Sequence, residues 1–142
     1  MSRRRFDEAE DHYRAALKEA PEDYAGLLMM AKCQLVQKKI DAASRYADKA
    51  KATYPEDAQA HYISGYAKIQ QKRYEAAYND FSNFEKKLPG NPYTNFYKGL
   101  SLEGMERKAS AAKEYYRFLQ QVNKGKEAQY AYRRLREWGY VK

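Results

Sequence analysis

Residues 55–89 read PEDAQAHYISGYAKIQQKRYEAAYNDFSNFEKKLP, a segment bounded by prolines 34 residues apart, and the same interval separates Pro21 from Pro55. Proline lacks a backbone donor and its ring clashes with a helix interior, so these three positions mark recurring helix stops. Other residue classes recur at the same period. They are Ala9, Ala43, Ala77 and Ala111; the small residues Ala31, Gly65 and Gly99; and the bulky set Phe6, Ile40 and Tyr74. Four coincident series exclude chance, and a period of this length is the signature of stacked helical repeats. Two antiparallel helices approach closely only where a small side chain sits at the crossing, which explains the alanine and glycine series.

Working outward from this frame, the pattern predicts eight helices and no strands. They fall near 4–19, 23–37, 41–53, 57–71, 75–87, 91–104, 108–122 and 126–138. The composition agrees: 142 residues, 44% hydrophobic and 32% charged with seven Gly and four Pro, suit one helical domain with a core. The last helix carries Ala128, Ala131, Tyr132, Leu135 and Trp138 at helical spacing, an apolar stripe set against Arg133, Arg134, Arg136 and Glu137. It reads as a cap over the 108–122 helix. The first helix has the packing face of a second-type helix (Phe6, Ala9, Tyr13, Ala16) with no first-type helix before it. Because stacked units need neighbours on both sides, this predicts a piece cut from a longer protein, or a self-associating N-terminal helix.

A 34-residue helix-turn-helix with these positions resembles the tetratricopeptide repeat (TPR) family. Ala31, Gly65 and Gly99 match the small eighth position, the alanine series the twentieth, Tyr13, Phe81 and Tyr115 the aromatic twenty-fourth, and the prolines the thirty-second. Leu27, His61 and Asn95 replace the family's first-helix tryptophan, and Asn123 stands where a fourth proline is expected. The resemblance implies a right-handed superhelical solenoid of antiparallel helix pairs over residues 1–142. Its parts would be an unpaired helix at 4–19, repeats at 24–57, 58–91 and 92–125, and a capping helix within 126–142. Lys98 takes a position that is usually apolar, so either its stem snorkels or the last pair is loose.

In TPR proteins the first helix of each pair lines a concave groove. The matching residues are Leu28, Lys32 and Leu35, then Tyr62, Tyr66 and Ile69, then Tyr93, Phe96, Tyr97 and Leu100. The convex side would present Asp41, Arg45, Asp48, Lys49, Asn79, Asn83, Lys86, Lys113 and Arg117 to solvent. Tyrosine offers contact area, a hydroxyl and little side-chain entropy to lose, so this face suits a protein or peptide ligand. Positions that clamp a terminal carboxylate in some relatives hold Leu28, Lys32, Ile63, Tyr93 and Tyr97, of which only Lys32 is charged. Recognition is therefore expected through apolar side chains, with Lys32, Lys68 and the basic last helix favouring acidic flanks. Charge supports this: Met1–Asp57 holds 11 Lys plus Arg against 11 Asp plus Glu, and Ala58–Lys142 holds 16 against 8, which accounts for the net +8.

Catalytic, metal and cofactor roles find no residues to carry them. His12 and His61 are far apart and outside any metal-ligand spacing, Cys33 reads as a small buried side chain, and the glycines form no phosphate-cradling loop. Single-stranded RNA is the rival ligand, through tyrosines interleaved with Lys and Arg, but it is disfavoured because the cations lie on both faces. No apolar run is long enough to cross a bilayer, and the lone cysteine leaves cytoplasm and periplasm equally open. The ending RLREWGY (residues 134–140) resembles the TPR tails of some bacterial membrane-associated zinc peptidases, which would imply a substrate-positioning or assembly role beside a separate active site.

Overall fold

The computed structural model describes residues 3–142. Its helices are α1 Arg3–Glu19, α2 Tyr24–Val36, α3 Ile40–Thr53, α4 Gln59–Gln70, α5 Tyr74–Lys87, α6 Pro92–Gly104, α7 Lys108–Leu119 and α8 Lys126–Glu137. These are the eight expected, with ends shifted by at most three residues, and no strand occurs among the described residues. They form a right-handed superhelical solenoid of antiparallel pairs. Every substantial contact joins helices one or two apart in the chain.

The turns inside the pairs share one construction. Lys38, Lys72 and Glu106, again 34 residues apart, adopt left-handed backbone with φ of 61°, 62° and 61°. In each turn two amides reach back to carbonyls of the first helix, as Lys72 N does to Ile69 O (3.0 Å) and Arg73 N to Lys68 O (2.8 Å). This double bond satisfies helix-end carbonyls and reverses the chain within three residues. Glycine would adopt that backbone freely, so the periodic turn residue is hidden in the sequence behind Lys, Lys and Glu. The entries to α2 and α6 are capped by Asp23, accepting from Gly26 N at 2.8 Å, and Asn91, accepting from Tyr93 N at 3.0 Å, with Pro92 opening α6.

Within each pair, the small residue of the first helix faces one position of the second, and the two change together. A Cβ on Gly65 would lie 2.7 Å from the ring of Phe81, and one on Gly99 would lie 2.5 Å from the ring of Tyr115. In the first pair the same two positions are Ala31 and Ala47, both fully buried in one cluster. Alanine is tolerated there because no ring faces it. The core accordingly runs from alanine-rich around α2–α4 to aromatic around α6–α8, where Phe96, Tyr115 and Phe118 pack with Leu102 and Leu135.

Buried polar groups tie each pair to its neighbours. Lys68, only 4% exposed, is bonded to Ser64 and pairs with Asp48 of α3 at 2.6 Å and Asp80 of α5 at 3.3 Å, while Lys51 reaches Asp80 at 2.7 Å. Burial opposes the charge of Asp48, but bonding to Lys68 and the charges of Lys68 and Lys51 outweigh it and hold the carboxyl below its usual range. One step along, Lys98 pairs with Glu85 of α5 at 3.1 Å and with buried Glu114 of α7 at 3.8 Å, and its ammonium lies 5.5 Å from the centre of the Tyr78 ring. Neither alternative expected for Lys98 describes this: the head is enclosed instead of snorkelling outward, and the pair around it is closely packed. Glu103 of α6 accepts from the hydroxyls of Tyr115 (2.8 Å) and Tyr130 (2.9 Å) and pairs with Arg134 at 3.2 Å, joining α6, α7 and α8.

At the N-terminal end α1 packs mainly on α2, with Leu17 and Lys18 beside Tyr46 and Lys49 of α3. Ala9 and Tyr13 are half-buried and Ala16 is exposed, although the residues one period further on, Ala43, Ala47 and Ala50, are fully buried. The docking of α1 depends on Glu10, which accepts from Gln34 Nε2 at 2.6 Å and Gln37 Nε2 at 3.1 Å and pairs with Arg14 at 2.7 Å. The amide of Gln34, then that of Gln37, lower the Glu10 pKa in spite of burial.

Two outcomes are expected. Gly99→Ala should destabilise the chain by about 1–3 kcal/mol in chemical denaturation, because Glu103 holds the Tyr115 ring in place and the backbones must part. An unchanged midpoint would show that the ring gives way. For Glu10, a lowered folded pKa means its stabilisation is complete above the unfolded value near about 4.3 and is lost as pH falls through the folded one. Amide exchange protection of α1 should therefore drop in that acidic window before protection of α4–α6 does, and Glu10→Gln should flatten the dependence.

Candidate functional site

The first helices α2, α4 and α6 lie side by side along one surface, with direct α2–α4 and α4–α6 contacts. Tyr62 and Tyr66 stand one helical turn apart on α4, and each meets Tyr97 of α6 edge-on with ring centres 5.7 Å apart. Tyr97 also stacks nearly flat on Phe81, at 5.2 Å and 13° between planes, and touches Phe96 at 5.4 Å. The three tyrosine rings are half-buried, whereas Phe81 and Phe96 beneath them are buried. Burial, ahead of the neighbouring phenols, pushes the hydroxyls of Tyr62 and Tyr97 above the usual range. They stay neutral, able to donate and accept.

Two recesses flank this tyrosine wall. The larger, about 510 Å³, gathers Tyr66, Ile69, Phe96, Tyr97 and Leu100 from the expected set. The smaller, about 280 Å³, holds Lys32 and Tyr62 together with Ile63, Phe84, Leu88 and Asn91. Leu28, Leu35 and Tyr93 line neither. Leu28 is buried in the α2–α4 core, Leu35 packs against that core, and Tyr93 sets its ring 5.2 Å from Phe118. Phe96, at 5% exposure, reaches the larger recess only by its edge.

The far wall of the larger recess comes from α8, through Lys126, Glu127, Gln129, Tyr130 and Arg133. These were missed in the sequence because the helix reads as a cap. The signal was available: Tyr130 continues the series Tyr62 and Phe96 at the 34-residue period. α8 thus takes the place of a fourth first-type helix, and its Arg133 sits over Tyr130 at 5.3 Å.

The charges expected to greet an acidic ligand require correction. Lys68 is enclosed by Asp48, Asp80 and Ser64 and cannot reach a ligand, since moving it would leave Asp80 buried beside fewer cations. Lys32 does face the smaller recess, where its ammonium reaches Gln59 Oε1 at 3.3 Å. Lys126 and Arg133 supply the remaining positive charge, next to Glu127. Asp48, expected on the solvated back, is half engaged in the same internal network. The capping role of α8 also needs amendment: it covers one side of α7 but leaves Tyr116 57% exposed.

The remaining candidates for chemistry lie apart. His61 is buried with Nε2 3.0 Å from Pro55 O, whereas His12 is exposed, with its ring 5.3 Å from that of Tyr13. Cys33 is buried, and burial followed by the nearby Glu10 charge pushes its thiol pKa up, away from the reactive thiolate. Among the described residues no three His, Cys, Asp or Glu side chains converge, and no helix is long and apolar enough to cross a membrane.

With this geometry in hand, comparison with known proteins identifies the repeat. The sequence model of the tetratricopeptide repeat matches residues 1–69. No curated protein sequence matches. Among solved structures the chain is similar to MamA from Desulfovibrio magneticus RS-1, with TM-score 0.86 and 16% identity over 95% of this chain and 77% of that one. It is also similar to TTC0263, a thermophilic TPR protein of Thermus thermophilus, with TM-score 0.74 and 18% identity over 96% and 76% of the two chains. A third similar structure is YrrB, a TPR protein described as having an unusual peptide-binding site, with TM-score 0.74 and 20% identity over 89% and 66%. The tetratricopeptide repeat is thus matched in sequence over residues 1–69, just under half of the chain, and its fold is shared over nearly the whole length.

Proposed function

We propose that this chain is a protein-interaction scaffold that holds a peptide or protein segment against its concave, tyrosine-lined face. The observation that carries the reading is the recess of Tyr66, Ile69, Phe96, Tyr97 and Leu100, walled on its far side by α8 and built on rings anchored in the core. A rigid aromatic wall costs a ligand little ordering entropy and offers an anchor pocket for an apolar side chain. The tetratricopeptide fold supports a scaffold role, and the described peptide site of YrrB supports a peptide as the ligand.

In this reading residues 24–57, 58–91 and 92–125 are three repeats of one domain, with 4–19 an unpaired second helix and 126–142 a cap that also closes the groove. Lys32 at one end, and Lys126 with Arg133 at the other, would draw acidic residues flanking the apolar anchors. The half-covered stripe of α1 supports self-association through that helix. A peptide is favoured over RNA because the cations are not gathered along the groove: Lys32 faces one recess and Lys126 and Arg133 the other beside Glu127, while Arg45, Lys49, Lys86 and Lys113 lie on the second helices.

Peptides selected from a random displayed library against the full chain test the proposal. Tyr66→Ala and Leu100→Glu should each weaken the selected peptides roughly tenfold or more, while thermal unfolding stays close to that of the parent because both side chains are only half-buried. Selected peptides that bind both variants as well as the parent would place the site elsewhere.

A further inference from the structure

The flank of α7 and α8 beyond the concave recess, which it meets at Gln129, carries a second trough. Two adjoining recesses of about 590 and 490 Å³ share Tyr116, Gln120, Leu135 and Val141 and so form one groove along the two helices. Its rings are the most exposed large apolar surface in this part of the molecule: Tyr116 at 57%, Tyr140 at 54% and Tyr132 at 41%. Lys113, Arg117 and Arg136 rim it, and no carboxylate lines it. We propose that this trough is a second docking surface, independent of the concave face, that takes an acidic amphipathic helix of a partner protein.

Shape and position favour a helix. α7 covers the flank of α6 as α5 covers that of α4, and the trough runs along the equivalent flank of α8. Its floor includes Ala109 and Ala112, small enough for a helix backbone to come close. The occupant differs from another repeat helix, however. The register that holds Gly65 and Gly99 holds Arg133 in α8, which does not admit the ring-on-backbone approach seen in the earlier pairs. A docked helix would therefore sit higher, held by tyrosine faces and by charge at the rim.

Charge selects the partner. Arg117 is already held by Glu114 at 3.1 Å, so it is Lys113 and Arg136, with no acid on the lining, that call for Glu or Asp beside the apolar stripe of the incoming helix. A second copy of this chain does not supply that: its total charge is +8, and α1, the helix with an uncovered face, contains as many basic as acidic residues.

The test uses the full chain and two designed helical peptides with identical leucine stripes, one flanked by glutamates and one by lysines. The glutamate peptide should bind, and Lys113→Glu with Arg136→Glu should weaken it roughly tenfold or more and admit the lysine peptide instead. Neither substituted residue is paired with a buried acid, so the variant should fold, as circular dichroism can verify. Leu100→Glu in the concave recess should leave this binding unchanged. Four results would overturn the proposal: no binding of the glutamate peptide, equal binding of both peptides, loss of binding in Leu100→Glu, or displacement by oligouridylate as effective as by the peptide itself. A concentration-dependent dimer abolished by Tyr116→Glu would likewise overturn it, because a second copy would then cover the trough.

Discussion

The ring of Tyr115 occupies the space that a β-carbon on Gly99 would need, and Phe81 does the same at Gly65. That contact fixes how near the two helices of a pair lie, and the rest of the molecule follows from it. Interaxial distance sets the rotation between successive pairs, which in turn sets the curvature of the concave face. The first pair reaches a similar closeness with two alanines, Ala31 and Ala47. Equivalent geometry from different side-chain volumes is what close packing allows when both partners change together.

The aromatic side of this arrangement gives the groove its character. Phe81 fills the gap over Gly65, and Tyr97 lies flat on Phe81, so the tyrosine of the proposed binding face is one layer removed from the helix crossing. Tyr62 and Tyr66 are braced against the same ring. The side chains of the proposed binding face are thus positioned by the core itself. The enclosed ion pairs of Lys68 and Lys98 act at right angles to this, linking consecutive helices. Ion pairs of this kind contribute little net stability, but they penalise any register in which a carboxylate would face apolar side chains.

Much of the architecture was legible in the residues because helix stops, small crossings and bulky neighbours each recur at one period. Proline and glycine speak for themselves at Pro55 and Gly99. Features whose cause lies in the neighbour were not legible. Lys98 looks misplaced in one dimension, yet Glu85 and Glu114, from helices on either side, account for it. Lys68 reads as available for a ligand until Asp48 and Asp80 are brought beside it. The groove was half legible: the tyrosines of α4 and α6 were marked by their register, but Leu28 sank into the core and α8 contributed a wall. A helix with a strong apolar stripe looks like a lid, and nothing in the stripe tells what its other faces touch.

The contacts that build this molecule reach only one or two helices along the chain. No closing strand or distant helix among the described residues returns to lock the first pair to the last. The solenoid therefore behaves as a short elastic strip, in which bending of one pair against the next is opposed only locally and pulling on the ends would peel helices away in sequence. Folding should be rapid for the same reason, since little loop entropy must be spent before contacts form. An occupant spanning α4 to α8 would tie together elements the chain leaves unconnected, and would stiffen the strip merely by lying across it.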